Sequence, residues 1–377
     1  MRITRFETFR IRIPFKRKYI HAEAGREEGE NIIVRVRSDG AMTGIGETIP
    51  REYLSGETPA AVMDSLSNTF APRIVGARFT DFEHVLSFLS DMVVMAHERS
   101  VGAAFCALDL AMIDVAGKHF LRPASDAIGE VRRRKIYYTG PVSGEERWST
   151  AKAAMKLKLA RFSQVKVKVG IGGDEARLSL IRKIMGSKVD MRVDANCAWH
   201  PEQAVEMIER LKPFGISSVE QPVASRDFEG LRFVRERCGL PIMVDESLCT
   251  LSDAQLLAEM GACDIFNVRL AKCGGITGSL KILEIARENS MKCQLGCLVD
   301  ETSILAAAGR HFAFTVPELV HVEGSYNRHL LSTDVAFPRL GFGLNGVAAP
   351  LEGYGLGVRL DQDALARCTV EQNSAGE

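Results

Sequence analysis

Five polar side chains, Lys168, Asp194, Glu220, Asp245 and Arg269, recur at intervals of roughly 25 residues. Each closes a short apolar run: Val165–Val169, Met191–Val193, Ile216–Val219, Ile242–Val244 and Ile265–Val268. The intervening stretches have helical periodicity and the length of a βαβ crossover. One strand and one helix per period is the pattern of a (β/α)₈ barrel, where the carboxyl ends of the strands converge on one mouth. Three consecutive strands ending in Asp194, Glu220 and Asp245 would gather three anions whose repulsion calls for a cation. An all-oxygen ligand set selects Mg²⁺, with Mn²⁺ as a substitute, over zinc. Lys166 and Lys168 alternate on one strand and share a face. Burial beside a cation depresses an ammonium pKa, which suits a general base near neutral pH. Taken singly, each carboxylate is equally compatible with capping the next helix, and Lys-X-Lys with a solvated edge strand. The common register selects the site.

The rest of the chain must position that mouth. Residues 2–13 alternate polar and apolar as a half-buried strand. A polar stretch, Lys16–Glu30, reads as a loop. Asn31–Arg37 and Thr43–Glu47 form two more strands around the turn Ser38-Asp39-Gly40. Helical periodicity follows at Pro59–Ala71, Phe82–Met95 and Ser100–Lys118, the last apolar enough to be buried on all sides. These elements predict an α+β capping domain over residues 1–130, with a boundary at Arg132-Arg133-Arg134. An α/β barrel over 131–340 then begins with Ile136–Thr139 and ends near Leu319–Glu323. The segment 341–377, rich in Gly and Pro, is expected to return to the capping domain and to end in disorder over Gln372–Glu377. The fold class is therefore a modified (β/α)₈ TIM barrel with an α+β N-terminal capping domain completed by the C-terminal tail.

Composition removes several function classes. Lys plus Arg and Asp plus Glu number 48 each, so a nucleic-acid-coating role is excluded. No apolar run approaches the roughly 20 residues of a membrane span. The amino terminus leads into strand-like alternation and not into a signal peptide. Nine cysteines without zinc-site spacing read as free thiols of a cytoplasmic protein. Gly170-Ile171-Gly172-Gly173 lacks the lysine and spacing of a phosphate loop.

The ordered set Lys166-Val-Lys168, Asp194-Ala-Asn196, Glu220-Gln221-Pro222, Asp245-Glu-Ser247 and Lys272-Cys-Gly-Gly resembles the enolase superfamily, in its muconate-lactonizing-enzyme subgroup, over nearly the whole chain. The resemblance implies that Asp194, Glu220 and Asp245 ligate Mg²⁺. It implies that Lys168 abstracts a proton α to a substrate carboxylate, with Lys166 lowering its pKa and helping to hold the carboxylate. The enediolate so formed needs metal and ammonium charge for its stability. A homo-oligomer acting on a small carboxylate is also implied. Family members usually carry a second lysine on the sixth strand, where this chain has Arg269, a residue that stays protonated and is a poor base. Lys272, three residues on, would face the other way in an extended strand.

One-base chemistry, a lactonisation of the muconate-cycloisomerase kind or another elimination, is therefore expected ahead of epimerisation of an N-acylamino acid or dipeptide. A non-catalytic metal-binding barrel is the reading from another class. Around the mouth, Glu323 at the eighth strand, Asp300 and Glu301 after the seventh, and Tyr19, Arg51 and Tyr53 in the capping loops are candidate substrate contacts, with His21 nearby. Asn196 and Gln221 are expected to support the ligands from behind. His311 falls in a helical stretch, so a histidine base is not expected.

Overall fold

The computed structural model describes residues 1–377 except 22, 23, 143 and 145, and of residues 17–21 and 24–26 it describes the backbone alone. Two sheets organise the chain. Strands β1 (Ile3–His21), β2 (Ala24–Ser38) and β3 (Thr43–Thr48) form an antiparallel meander. The stretch expected as a loop, Lys16–Glu30, is instead the far end of the β1–β2 hairpin, with Tyr19 opposite Arg26 and His21 opposite Ala24. Its polar side chains gave no alternation to read, because ladder hydrogen bonds between main chains form it.

Helix α1 (Phe82–Glu98) packs on helix α2 (Gly102–Phe120), and α2 packs on this sheet. Every residue of α2 from Gly102 to Gly117 is buried. Gly44 and Gly46 on β3 permit its close approach, since a Cβ at Gly46 would lie 1.9 Å from the Ala107 carbonyl oxygen. Pro59–Asp64, Ser65–Phe70 and Ala71–Ile74 make a continuous helical stretch whose middle section is a π-helix.

The second sheet has eight parallel strands in sequential order: β4 (Gly140–Val142), β5 (Gln164–Lys168), β6 (Asp190–Asp194), β7 (Ile216–Glu220), β8 (Ile242–Val244), β9 (Ile265–Val268), β10 (Lys292–Leu295) and β11 (Leu319–Val322). A bridge between Tyr138 and Val322 brings the two ends together, with Thr139 N donating to Val322 O at 2.9 Å. The first barrel strand is thus Gly140–Val142 and not Ile136–Thr139. Ile136–Tyr137 pairs antiparallel with Val347–Ala348 of the tail. Helices α3 (Arg147–Leu159), α4 (Asp174–Met185), α5 (Pro201–Leu211), α6 (Phe228–Cys238), α7 (Leu251–Glu259), α8 (Gly275–Glu288) and α9 (Ser303–Thr315) connect successive strands.

The tail does return, and it ends as strand β12 (Thr369–Gly376), paired with β1 from Arg5↔Gly376 to Ile11↔Thr369. Disorder was the wrong expectation for Gln372–Glu377. The strand's side chains are mostly exposed, so ladder pairing holds it and its polar composition carried no signal. No described helix is long and apolar enough to cross a membrane. Among the described residues all nine cysteines are free, eight of them buried.

Candidate active site

The predicted register holds at the barrel mouth. Val165 and Val167 are buried toward the helices, while Lys166 and Lys168 take the other face of β5. Lys168 pairs in register with Asp194, and Asp194 with Glu220. Lys166 Nζ lies 3.3 Å from Asp194, 3.2 Å from Glu220 and 3.1 Å from Glu323. Arg269 forms an ion pair with Asp245 and stands 3.9 Å from Glu220. Gly296, just past the end of the neighbouring strand, makes room for it, since a Cβ there would lie 2.9 Å from Arg269 Cγ.

Lys272 does not face away. The chain turns after β9, and its buried ammonium reaches Asp245 Oδ1 at 2.9 Å. The extended-strand assumption failed because Leu270–Gly274 is a turn.

The electrostatics follow from burial and partners. Burial pushes Asp194 up, and the adjacent Glu220 charge adds to it against Lys166, to about 8. Burial also opposes the charged form of Asp245, but Arg269 and Lys272 outweigh it and hold this carboxyl below its usual range. For Lys166, burial opposes the ammonium while Glu220, Glu323 and Asp194 more than compensate, so its pKa stands well above that of a free lysine. Its carboxylate neighbours outnumber its cationic ones.

Several residues that sequence reasoning passed over complete the mouth. Arg192, 1% exposed, sits two residues before Asp194 on the same strand face and donates to Glu323 at 3.0 Å and to Thr139 Oγ1. Asn267 Nδ2 donates to Glu220 at 2.9 Å. Glu246 is half-buried, and Asn196 Nδ2 donates to it at 3.1 Å. The period-2 spacing of Arg192 from Asp194, and of Asn267 from Arg269, was the signal that could have found two of these.

Asn196 and Gln221, expected behind the ligands, contact Asp194 and the Asp245 loop. Asn196 N donates to Asp194 Oδ1 at 3.0 Å. Gln221 accepts from the amides of Asp245 and Ser247 at 3.0 and 3.2 Å and donates to Ser247 Oγ at 2.8 Å, which shapes the Asp245 loop.

The candidate substrate contacts divide. Glu323 is in the mouth, but its carboxylate is clamped between Lys166 and Arg192. Asp300 and Arg51 form a buried ion pair with each other that links barrel to capping domain. Glu301 accepts from Leu298 N at 2.8 Å, and burial raises its pKa well above the usual value. Arg51 and the half-exposed Tyr53 line a cavity of about 690 Å³ with Glu27, Glu28, Glu30 and Glu52. The side chains of Tyr19 and His21 lie outside the described residues. His311 is packed, its Nε2 3.2 Å from the Leu356 carbonyl oxygen.

Among the described residues, no three His, Cys, Asp or Glu side chains form a finished cation cage. Lys166 and Arg269 stand between the carboxylates and draw them apart. The donor set nonetheless fits a hard divalent ion. Its members are oxygen anions on adjacent strands, and Asp194 is left with more negative charge around it than Lys166 compensates.

An eight-stranded parallel barrel under an antiparallel cap, with lysines and carboxylates at consecutive strand ends, defines a class of enzymes acting on carboxylate substrates. Residues 5–129 match the family model for the mandelate racemase / muconate lactonizing enzyme N-terminal domain, and 149–364 the enolase C-terminal domain-like model. The chain belongs to the enolase superfamily, in its muconate-lactonizing-enzyme subgroup.

Among curated relatives, a hydrophobic dipeptide epimerase of Enterococcus faecalis is 32% identical over 83% of this chain and 87% of its own length. A chloromuconate cycloisomerase of Cupriavidus pinatubonensis is 25% identical over 95% of this chain and 96% of its own. A solved dipeptide epimerase from Cytophaga hutchinsonii, complexed with Mg and the dipeptide D-Ala-L-Val, superposes with a TM-score of 0.88 at 27% identity. It covers 99% of this chain and 100% of its own. These relatives are epimerases and cycloisomerases, and they support epimerisation better than the lactonisation that the sequence placed first.

Proposed function

We propose that the protein epimerises a dipeptide or an N-acylamino acid at the carbon α to a carboxylate. The observation that carries this reading is the similarity to dipeptide epimerases along the chain, joined to the Lys166–Lys168 face beside Asp194 and Glu220. Asp194, Glu220 and Asp245 would hold Mg²⁺, which would supply Lewis-acid stabilisation of the enediolate. Lys168, at the end of β5, removes the α-proton. Lys166, kept cationic by three carboxylates, contributes fixed positive charge beside it. Arg269, held protonated by Asp245 and Glu220, does the same from β9. A water molecule then supplies the proton on the face opposite Lys168.

A second reading rests on Arg269 itself. An arginine in place of a second lysine suits one-base chemistry, in which Lys168 alone handles the proton and the product is a lactone or an alkene. Incubation with Mg²⁺ in D₂O separates the two. Dipeptides, N-acylamino acids and muconates are followed by proton NMR. Deuterium incorporation with inversion at the same carbon supports epimerisation. Ring closure or elimination without inversion overturns it in favour of the one-base reading.

A further inference from the structure

Epimerisation needs a proton donor on the face opposite Lys168, and an arginine cannot be that donor. Lys168 ends β5, the second of eight strands, so the wall across the barrel from it belongs to β9, β10 and the loops that follow them. Most polar groups on that wall are already engaged. Arg269 is tied to Asp245, and Lys272 is buried against the same carboxylate. Asp300 is paired with Arg51. Glu323, which burial would protonate, is held as an anion by Lys166 and Arg192. Burial drives the Cys297 thiol further from ionising. Glu301 differs. It is 8% exposed, forms no ion pair among the described residues, and accepts from Leu298 N at 2.8 Å. Burial first, against the Leu298 amide, and then the Glu47 charge keep its pKa well above the usual value. Beside it lies a small cavity of about 10 Å³, close to the least room that one water needs. Glu301, Glu323 and Tyr138 give this cavity its polar lining, and Leu270, Leu295 and Gly296 place it at the ends of β9 and β10.

We propose that this cavity holds the water that protonates the substrate opposite Lys168, and that Glu301 is the acid that resupplies it. The inference rests on the epimerase reading. As Lys168 Nζ takes the α-proton, a water O–H bond breaks toward the α-carbon and the Glu301 O–H bond breaks toward the water oxygen. Glu301 is left as a carboxylate and regains its proton from solvent. In the reverse direction that carboxylate draws a proton back through the water, and a carboxyl group that holds its proton tightly is the stronger base for it. Glu301 therefore acts through the water, as a positioning residue that does not itself touch the substrate.

The test uses the full-length protein with Mg²⁺ in D₂O and both epimers of the dipeptides and N-acylamino acids, with exchange and inversion followed separately by NMR. Glu301→Gln keeps an acceptor for Leu298 N and removes the acid. Inversion should fall by ~10² or more, while exchange with retention at the epimer whose α-proton faces Lys168 stays within about threefold of wild type. Gly309→Ala reaches the water from the α9 side. Its new Cβ would make ordinary contact with Leu295 Cδ2, at 3.6 Å, at the wall of the cavity. Displacing the water should slow inversion about tenfold and again spare exchange, and this variant carries the test if Glu301→Gln fails to fold. Equal losses of exchange and inversion would make the role of Glu301 purely structural and overturn the proposal. Inversion at the wild-type rate in either variant overturns it as well, with the epimerase reading intact. A wild-type protein that inverts none of these compounds removes the epimerase reading, and this role with it.

Discussion

The molecule buries carboxylates in two places and neutralises them in two ways. At the barrel mouth the partners are side-chain cations: Asp245 has Arg269 and Lys272, and Glu323 has Lys166 and Arg192. Where the capping domain meets the barrel, the partners are main-chain amides at helix starts. Glu47 on β3 accepts from Thr302 N and Leu305 N at the start of α9. Asp109 in α2 accepts from Ile276 N and Thr277 N at the start of α8. Within the capping domain Glu57 likewise accepts from Ala103 N and Ala104 N of α2.

The consequence for protonation is opposite. Burial would raise both Asp245 and Glu323, yet cations hold them low. Glu47, Glu57 and Asp109 are raised by burial to about 7 despite their amide partners. Amides are fixed in the frame, so Glu47 and Asp109 clamp the two domains together while Glu57 holds the start of α2 within the cap. Flexible lysine and arginine heads can be displaced by a ligand, and that is what a working site requires.

Four experiments break or sharpen this contrast, the largest effect first. Lys168→Ala removes the proposed base, and α-proton exchange should fall by about 10²–10⁴ with the melting temperature unchanged. Exchange at the wild-type rate would sink the assignment. Arg192→Met splits a buried ion pair and should cost about 3–5 kcal/mol in urea titration. A loss within error would mean that Lys166 alone suffices to hold Glu323.

At the domain junction pH is the lever. Glu47 has a folded pKa of about 7, above its ordinary 4.5. The folded state thus binds this proton more tightly, and the stability it adds is present near pH 4.5 and lost as pH rises toward 7. With Glu57 and Asp109 acting in the same sense, thermal stability should decline between about pH 5 and 8. Glu47→Gln should flatten that decline, by on the order of 3 kcal/mol at most. An unchanged slope would remove Glu47 from the account. The smallest effect belongs to Thr302→Ala, which removes the hydroxyl that caps α9 at Ile304 and donates to Glu47. About 1 kcal/mol is expected from denaturation.

The frame of the candidate site was legible because strand ends in a parallel barrel repeat with a fixed spacing. Asp194, Glu220 and Lys168 needed only the order of the apolar runs to be placed together. Arg192 was not, although it shares a face with Asp194, because an arginine inside a barrel makes sense only once Glu323 is seen across from it. Lys272 was assigned to the wrong side because a turn, and not a strand, carries it. The same limit hid β12 and the outer β1–β2 hairpin, where backbone pairing stabilises polar sequence that shows no alternation.

From sequence alone came the fold class, the order of the strand ends and the candidate set of lysines and carboxylates, since local periodicity and residue type encode all three. Tertiary structure decided which cation meets which carboxylate, that Asp300 and Arg51 join the domains, and that Glu323 is held by the protein's own cations. Those outcomes depend on distances between residues far apart in the chain, and such distances exist only once the barrel has closed.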